Sequence, residues 1–171
     1  MSDDLPLSEW RCSSCGATHD DLPAATLRAP DVWANASEEE QASEFDLTTD
    51  TCIWKDEHFF VRGVLALPLI DRAGTFDFGV WSTLSRENFF RYMRLFDSKQ
   101  RMSLGPMFGW LSNSLPGYPE TTNLKCNIYP CEPDFRPTIE LEPTDHPLSM
   151  QQHHGIKFAD AAAYCHEYLG L

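Results

Sequence analysis

The sequence predicts the α+β fold class, an antiparallel, meander-rich β-sheet of about five strands with helices packed on it and an N-terminal zinc knuckle. Three observations predict this fold. Residues 51–84 contain apolar and aromatic runs separated by short turns, which favours antiparallel pairing of neighbours. Helical patterns with cap residues follow later in the chain. Residues 10–19 contain two cysteines and a histidine at metal-ligand spacing.

The chain length of 171 residues suits a single domain over 1–171. Hydrophobic residues make up 42% of the chain, which is enough for a core without disulfide bonds. No apolar run is long enough to span a membrane, and the N-terminus lacks the basic start and apolar block of a secretory signal. We therefore expect a cytoplasmic protein whose six cysteines serve metal binding, burial or catalysis.

The net charge is −13, and it is concentrated at the N-terminal side, because residues 1–57 hold 14 acidic and 3 basic side chains. Such a surface repels nucleic acid, whose binding depends on Lys and Arg side chains. Neither a nucleic acid nor a membrane is therefore expected as a partner. The acidic residues favour solubility, or alternatively form a docking surface for a basic protein partner.

The N-terminal third is predicted to be mostly irregular. Residues 20–36 contain two prolines and read as a crossing segment. Ser37, followed by Glu40, has the pattern of a capping box. It predicts a short helix that runs to about Phe45, with acidic residues in the first turn, where they suit the helix dipole.

Strands are predicted wherever short runs are rich in β-branched and aromatic residues. The segment 58–70 contains a proline near its end, which indicates an edge position or a bulge. The segment 107–111 is the weakest of the set because it lies in a loop-rich region. The predicted strands are 51–54, 58–70, 75–84, 107–111, 124–129 and 137–141.

Three further helices are predicted. Ser85 caps a helix over about 86–97, with Phe89, Met93 and Phe96 on one face. Pro147 begins a helix that ends at Gly155, and the last helix covers Phe158 to Leu169, with Phe158, Ala162 and Cys165 or Leu169 on one stripe.

The strongest local motif is Cys12-x2-Cys15-Gly16-x2-His19. Its spacing lets two thiolates reach one ion, and His19 can add an imidazole nitrogen. A tetrahedral zinc site needs a fourth ligand, and Cys52 is the preferred candidate, because it would attach residues 10–19 to the sheet. Three thiolates and one imidazole would close the coordination shell, so the expected Zn²⁺ is structural rather than catalytic.

Alternatives to this ligand set remain open. Asp50 or His58 could replace Cys52, and Cys126 with Cys131 could form a second, weaker ligand pair. The first two cysteines could also be ordinary surface thiols. A thioredoxin-like redox pair is the remaining alternative, but such a pair normally lies near a βαβ pattern, which this sequence lacks.

No recognised catalytic motif is present: the chain has no Gly-x-Ser-x-Gly elbow, P-loop or metalloprotease helix. Arg62 is unusual because it places a charge within an apolar strand. Together with Trp81 and Tyr118 it could line a pocket, although core packing is the ordinary role of such aromatic residues.

Several segments together resemble a bacterial family of uncharacterised proteins, domain of unknown function 2199. The resemblance covers nearly the whole chain and implies a single-domain bacterial protein with a metal knuckle, but no established activity. It favours Cys52 as a ligand, since the Asp50-x-Cys52 element is part of it. The segments that carry the resemblance are Cys12-x2-Cys15-Gly16-x2-His19, Asp50-x-Cys52, Phe59-Phe60-x-Arg62-Gly63, Gly79-Val80-Trp81-x2-Leu84-Ser85, Leu115-Pro116-x-Tyr118-Pro119-x-Thr121, Arg136-Pro137-x-Ile139-x-Leu141, Gln152 and Gly155-Ile156.

The sequence therefore favours a zinc-stabilised, non-catalytic interaction or adaptor protein. The alternative is a small hydrolase-type enzyme with a pocket near Arg62, Trp81 and Tyr118. A zinc-ribbon nucleic-acid binder is a third hypothesis, which the acidic charge disfavours.

Overall fold

The computed structural model describes residues 22–170 and the backbone of two short strands, 10–11 and 18–19. These two strands, β1 (Trp10–Arg11) and β2 (Thr18–His19), pair antiparallel. The other strands are β3 (Ala25–Thr26), β4 (Phe45–Leu47), β5 (Thr51–Trp54), β6 (His58–Pro68), β7 (Thr75–Leu84), β8 (Met107–Trp110), β9 (Lys125–Tyr129) and β10 (Thr138–Leu141). The helices are α1 (Asp31–Ala34), α2 (Glu38–Glu44), α3 (Arg86–Arg94), α4 (Pro147–His154) and α5 (Phe158–Tyr168), with a 3₁₀ helix at Lys99–Leu104.

Local sequence signals explain where the main helices begin. The Ser37 hydroxyl accepts a hydrogen bond from the Glu40 backbone N–H, and the Glu40 carboxylate accepts one from the Ser37 N–H, which confirms the predicted capping box. Ser85 caps α3 in a similar way through the Asn88 N–H. Helix α4 begins with Pro147 and ends before a glycine with a positive φ.

The strands β3 to β10 form one eight-stranded sheet, which is mixed. Most neighbours pair antiparallel, but β3 pairs parallel with β7, and β10 pairs parallel with β6. The prediction of an antiparallel sheet of about five strands was therefore wrong in both pairing and strand count. The parallel contacts are short and join segments far apart in the chain, so no local turn pattern predicts them.

The predicted zinc knuckle is not part of this fold as described. Within residues 22–170, no group of three or more His, Cys, Asp or Glu side chains could hold a metal ion. Cys12 and Cys15 lie outside the described residues.

The long strands of the sheet curl into a ring. Strand β8 returns to β7 through a bridge between Ser82 and Leu111, while β9 and β10 connect it back to β6. Gly109 lies at this closure, where a Cβ atom would collide with the Thr83 carbonyl. The inward side chains fill the ring and continue into the main core beneath α3, α4 and α5.

The outer face of β5, β6 and β7 carries a second, smaller apolar cluster, formed by Cys52, Phe60 and Trp81. Because side chains alternate along a strand, this cluster is separated from the main core by the thickness of the sheet. The candidate site lies on this outer face. In the described part of the chain, no helix is long and apolar enough to cross a membrane.

Candidate functional site

The buried cluster of Cys52, Phe60 and Trp81 forms the floor of the site. Cys52 lies opposite Phe60 across β5 and β6, and Trp81 is fully buried, with its indole N–H donating to the Leu27 carbonyl at 3.1 Å. The partly buried residues Phe45, Leu47 and Trp54 extend this floor. Two clefts, one acidic and one basic, lie beside this apolar floor and are described in turn below.

The acidic cleft has a volume of about 280 Å³. Its aromatic wall consists of Phe45 and Trp54, which are cross-strand partners and stack with ring centroids 5.6 Å apart and planes 7° from parallel. Glu40 and Glu44 of α2 provide its negative charge. The residues that line the acidic cleft are Val32, Asn35, Ala36, Glu40, Glu44, Phe45, Trp54 and Lys55.

Lys55 already places a cation in the acidic cleft. Its Nζ lies 4.9 Å from the centroid of the Trp54 ring and 3.9 Å from a carboxylate oxygen of Glu44. The Trp54 indole N–H donates to the same oxygen at 3.3 Å. Lys55 occupies a turn with a φ of 54°, a left-handed conformation that is uncommon for residues other than glycine. The cleft thus combines a cation–π surface with a carboxylate.

The basic cleft has a volume of about 350 Å³ and is lined by Arg28, Leu47, Thr48, Thr49 and Arg62. Arg62 lies over the Trp81 ring, with its Cζ 6.0 Å from the ring centroid. One Nη1 hydrogen bond, to the Thr49 carbonyl at 3.1 Å, holds its guanidinium. Its Nε is buried and has no hydrogen-bond partner among the described residues.

Two neighbouring side chains act on the pKa of Arg62 in opposite directions. Burial lowers the pKa of Arg62 below its ordinary value, and the neighbouring Arg136 lowers the pKa further, whereas Asp50 opposes the shift. The Asp50 carboxylate itself is paired with Arg136, at 2.9 Å from its Nε. The protein therefore compensates the charge of Arg62 only in part.

Arg101 provides a comparison, because its guanidinium donates hydrogen bonds from all three of its nitrogen atoms. It is 1% exposed, and it donates from Nε to the Cys131 carbonyl at 2.6 Å and from Nη1 to the Phe96 carbonyl at 2.8 Å. Its Nη2 donates to the carbonyls of Glu132 and Phe135. Arg101 also lines a cleft, of about 430 Å³, but its donors are directed into the loop that it holds in place.

Only part of the predicted metal site can be placed. Cys12 and Cys15 lie outside the described residues, and His19 is described only as the backbone of β2. Cys52 is fully buried, and this burial, together with the charge of Asp46, raises the pKa of its thiol to about 12. Of the alternative ligands, Asp50 pairs with Arg136, and the His58 ring contacts Trp54 in a tilted arrangement, with ring centroids 5.0 Å apart.

The three residues of the predicted pocket lie in two places. Arg62 and Trp81 are cross-strand partners on the outer face. Tyr118 packs elsewhere, with its ring 6.2 Å from that of Phe78 in the main core and its hydroxyl donating to Gln151 at 2.6 Å. The structure therefore brings together the arginine and the tryptophan but not the tyrosine.

Sequence reasoning missed most of the residues that line the two clefts. Arg28 lay in a segment expected to be irregular, and Thr48 and Thr49 lay between two predicted elements. Lys55 was expected only as a turn residue. A useful signal was present, since Arg28 and Lys55 are two of only three basic residues before position 58.

The described residues thus form a protein with a helix-covered mixed sheet and two oppositely charged clefts on its outer face. The sequence profile of a family described as an uncharacterized protein conserved in bacteria (DUF2199) matches residues 11–156. Because this match covers more than half of the chain, the protein belongs to that family. No curated protein and no solved structure matches the chain.

Proposed function

We propose that this protein is a non-catalytic interaction domain, which binds a basic segment of a partner protein in the acidic cleft. The observation that carries the proposal is the position of Lys55, which contacts both the Trp54 ring and the Glu44 carboxylate. A lysine or arginine of a partner could make the same two contacts.

Charge supports this choice of partner. Helix α2 presents Glu38, Glu39 and Glu40 in its first turn, next to the acidic cleft. The apolar wall of Phe45 and Trp54 would receive the aliphatic part of a basic side chain, while the carboxylates would bind its charged end. A basic segment would also be attracted over a longer range by the acidic N-terminal part of the chain.

Lys55 would not prevent such binding. Its ion pair with Glu44 joins side chains that are 50% and 36% exposed, and exposed pairs of this kind contribute about 0–1 kcal/mol. A partner that supplies several cations could displace Lys55 at little cost. The lysine then acts as a weak internal competitor for the cleft.

Because Lys55 competes for the cleft, variants of Glu44 and Lys55 should change the peptide affinity in opposite directions. We expect a fluorophore-labelled oligoarginine peptide to bind about 3-fold more weakly to Glu44→Gln, because the variant loses one cation contact. Lys55→Gln should bind it about 2-fold more tightly, because the competitor is removed. Fluorescence anisotropy at low salt measures both affinities.

The matched control is Glu87→Gln, which removes the same charge from an exposed position in α3. If Glu87→Gln and Glu44→Gln weaken binding equally, the peptide responds to net charge alone, and the proposed cleft is wrong. A Lys55→Gln variant that binds less tightly would also contradict the proposal.

The proposal includes a structural zinc ion bound by Cys12, Cys15 and His19, with Cys52 as fourth ligand. The pairing of Arg11 with Thr18 supports it, because these residues flank the segment that contains both cysteines. Protein purified without chelators should contain one zinc ion per chain by elemental analysis, and Cys12→Ser should lose it. Cys165→Ser, which alters a buried cysteine of α5, is the control. Zinc retained by Cys52→Ser would exclude residue 52 as a required ligand.

No specific observation favours the hydrolase alternative, because Tyr118 packs away from Arg62 and Trp81. The cytoplasmic location remains part of the proposal, and nucleic acid remains a disfavoured partner on grounds of charge.

A further inference from the structure

The basic cleft is an exception in an acidic protein. The chain has 26 acidic and 13 basic residues, yet the described lining of this cleft contains two arginines and no carboxylate. Both arginines line this one cleft, and an anion bound there is attracted by each of their charges. The cleft therefore has the charge of a site for an anionic ligand.

Arg62 has hydrogen-bonding capacity that the described protein does not use. Arg101 donates four hydrogen bonds to carbonyl groups, whereas Arg62 donates one from its guanidinium and keeps a buried Nε without a partner. Leaving a charged donor unsatisfied is unfavourable, so native proteins rarely do it without a reason. A ligand oxygen that reaches Nε after a small rotation of the guanidinium would provide the missing partner.

We propose that the basic cleft binds the phosphate group of a small phosphorylated compound between Arg28 and Arg62. The planar guanidinium of Arg62 would hold two phosphate oxygens, since its neighbouring N–H groups match their spacing. Arg28, which is exposed at the edge of the cleft, would contribute the second positive charge. Thr48 and Thr49 form the remaining polar wall.

Charge and size favour phosphate over a simple carboxylate. Two arginines can neutralise a phosphate dianion, whereas a monocarboxylate would leave one positive charge uncompensated. The volume of about 350 Å³ far exceeds the share of about 30 Å³ that one water molecule takes. The cleft therefore has room for a phosphate and for part of the group attached to it, which could pack on Leu47.

This inference is independent of the proposed partner binding, because it depends on different residues. Lys55 and Glu44 of the acidic cleft do not line the basic cleft. If the peptide does not bind, the proposed phosphate site is not contradicted. If phosphate does not bind, the proposed peptide site is not contradicted.

The test is an NMR titration of the full chain with inorganic phosphate, which follows backbone amide signals. We expect the signals of Thr48, Thr49 and Arg62 to shift and to saturate. Arg62→Gln and Arg28→Gln should each weaken binding by about 10-fold, because each loses a charge-assisted contact. Sulfate, a tetrahedral dianion, should compete with phosphate, whereas acetate should bind at least about 10-fold more weakly.

Arg62→Lys and Arg94→Gln complete the experiment. Arg62→Lys keeps the charge but loses the planar fork, so we expect intermediate affinity. Arg94→Gln removes an exposed arginine of α3 and should leave the affinity unchanged. Since Arg28 is exposed, the Arg28 variant keeps the test valid even if Arg62→Gln fails to fold.

Three results would overturn the proposal. The first is that Arg28→Gln binds phosphate as tightly as the unmodified protein does. Another is acetate that binds as tightly as phosphate, which would indicate a carboxylate site. The third is phosphate-induced shifts spread over the arginines of α3 as much as over Thr48 and Thr49.

Discussion

The acidic and basic clefts lie on the same apolar floor but differ in how far the protein satisfies their charged groups. In the acidic cleft, Glu44 accepts from the Trp54 indole and pairs with Lys55. In the basic cleft, the buried Nε of Arg62 has no partner in residues 22–170, and the described lining supplies no carboxylate.

This difference is our reason for proposing different kinds of ligand for the two clefts. A cleft whose charges are already paired gains little from one more ion, so it needs a partner with several cations. A cleft with unused donors gains from a single small anion, because the contact replaces an unfavourable state. Net charge alone would have predicted only the first kind of site.

The largest effect is expected from a change in the apolar cluster that borders both clefts. Trp81→Ala should lower the free energy of unfolding by about 3–5 kcal/mol, because the side chain is fully buried and its loss leaves a cavity. Both peptide and phosphate binding should weaken, since both clefts border this cluster. Urea denaturation measures the stability. Trp110→Ala, at a position that is 39% exposed, should cost below about 1 kcal/mol.

The next largest effect distinguishes the environment of Arg101 from that of Arg62. Arg101→Met should lower the free energy of unfolding by about 3 kcal/mol or more, because four carbonyls lose their donor. Phosphate affinity should stay within about 2-fold at temperatures where the variant is folded. Thermal denaturation and the phosphate titration check the two parts. A stable Arg101→Met with lost phosphate binding would reverse the roles assigned to the two arginines.

Salt should sharpen the contrast. Raising sodium chloride from 0.05 to 0.5 M shortens the Debye length from about 14 to about 4 Å. Peptide affinity should fall by about 10-fold or more, because several exposed charges act at a distance. Phosphate affinity should fall by only about 3-fold, because its contacts are direct. Equal losses, measured by anisotropy and NMR, would mean that the basic cleft acts as an ordinary exposed charge.

The smallest predicted effect concerns Asp50. Asp50→Asn should raise phosphate affinity about 2- to 5-fold, because it removes a negative charge near Arg62 and releases Arg136 from its pairing at 2.9 Å. Asp160→Asn, an exposed change in α5, should have no effect. The phosphate titration measures both variants. A decrease in affinity for Asp50→Asn would show that the carboxylate instead orients the arginines for binding.

The sequence predicted local elements better than it predicted their arrangement. The capping box at Ser37 was correct, because the signal lies within four residues. In α3 the buried residues are Phe89 and Tyr92, whereas Met93, placed on the predicted apolar face, is 39% exposed. The periodicity of apolar residues predicted the helix correctly, but it did not predict which face of the helix packs against the sheet.

The candidate site was only partly predictable. Arg62 was identified because a charge within an apolar strand is unusual, and Trp81 because aromatic residues can line a pocket. The two residues are cross-strand partners. Arg28 and Thr49 lie near them in the fold, but both belong to irregular segments whose sequence has no periodic pattern that would predict their position. The parallel pairing of β10 with β6 escaped prediction for the same reason, since it depends on a single pair, Thr138 and Val64.

The ring closure has a consequence for where any ligand can bind. At Gly63 a Cβ atom would lie 2.7 Å from the Ile139 side chain, and at Gly109 it would meet the Thr83 carbonyl. With even a methyl group excluded at these two points, the strands approach too closely there for a guest molecule to lie between them. Unlike wide barrels that enclose their ligands, the described ring is occupied by its own core side chains, and both proposed sites lie on its outer face.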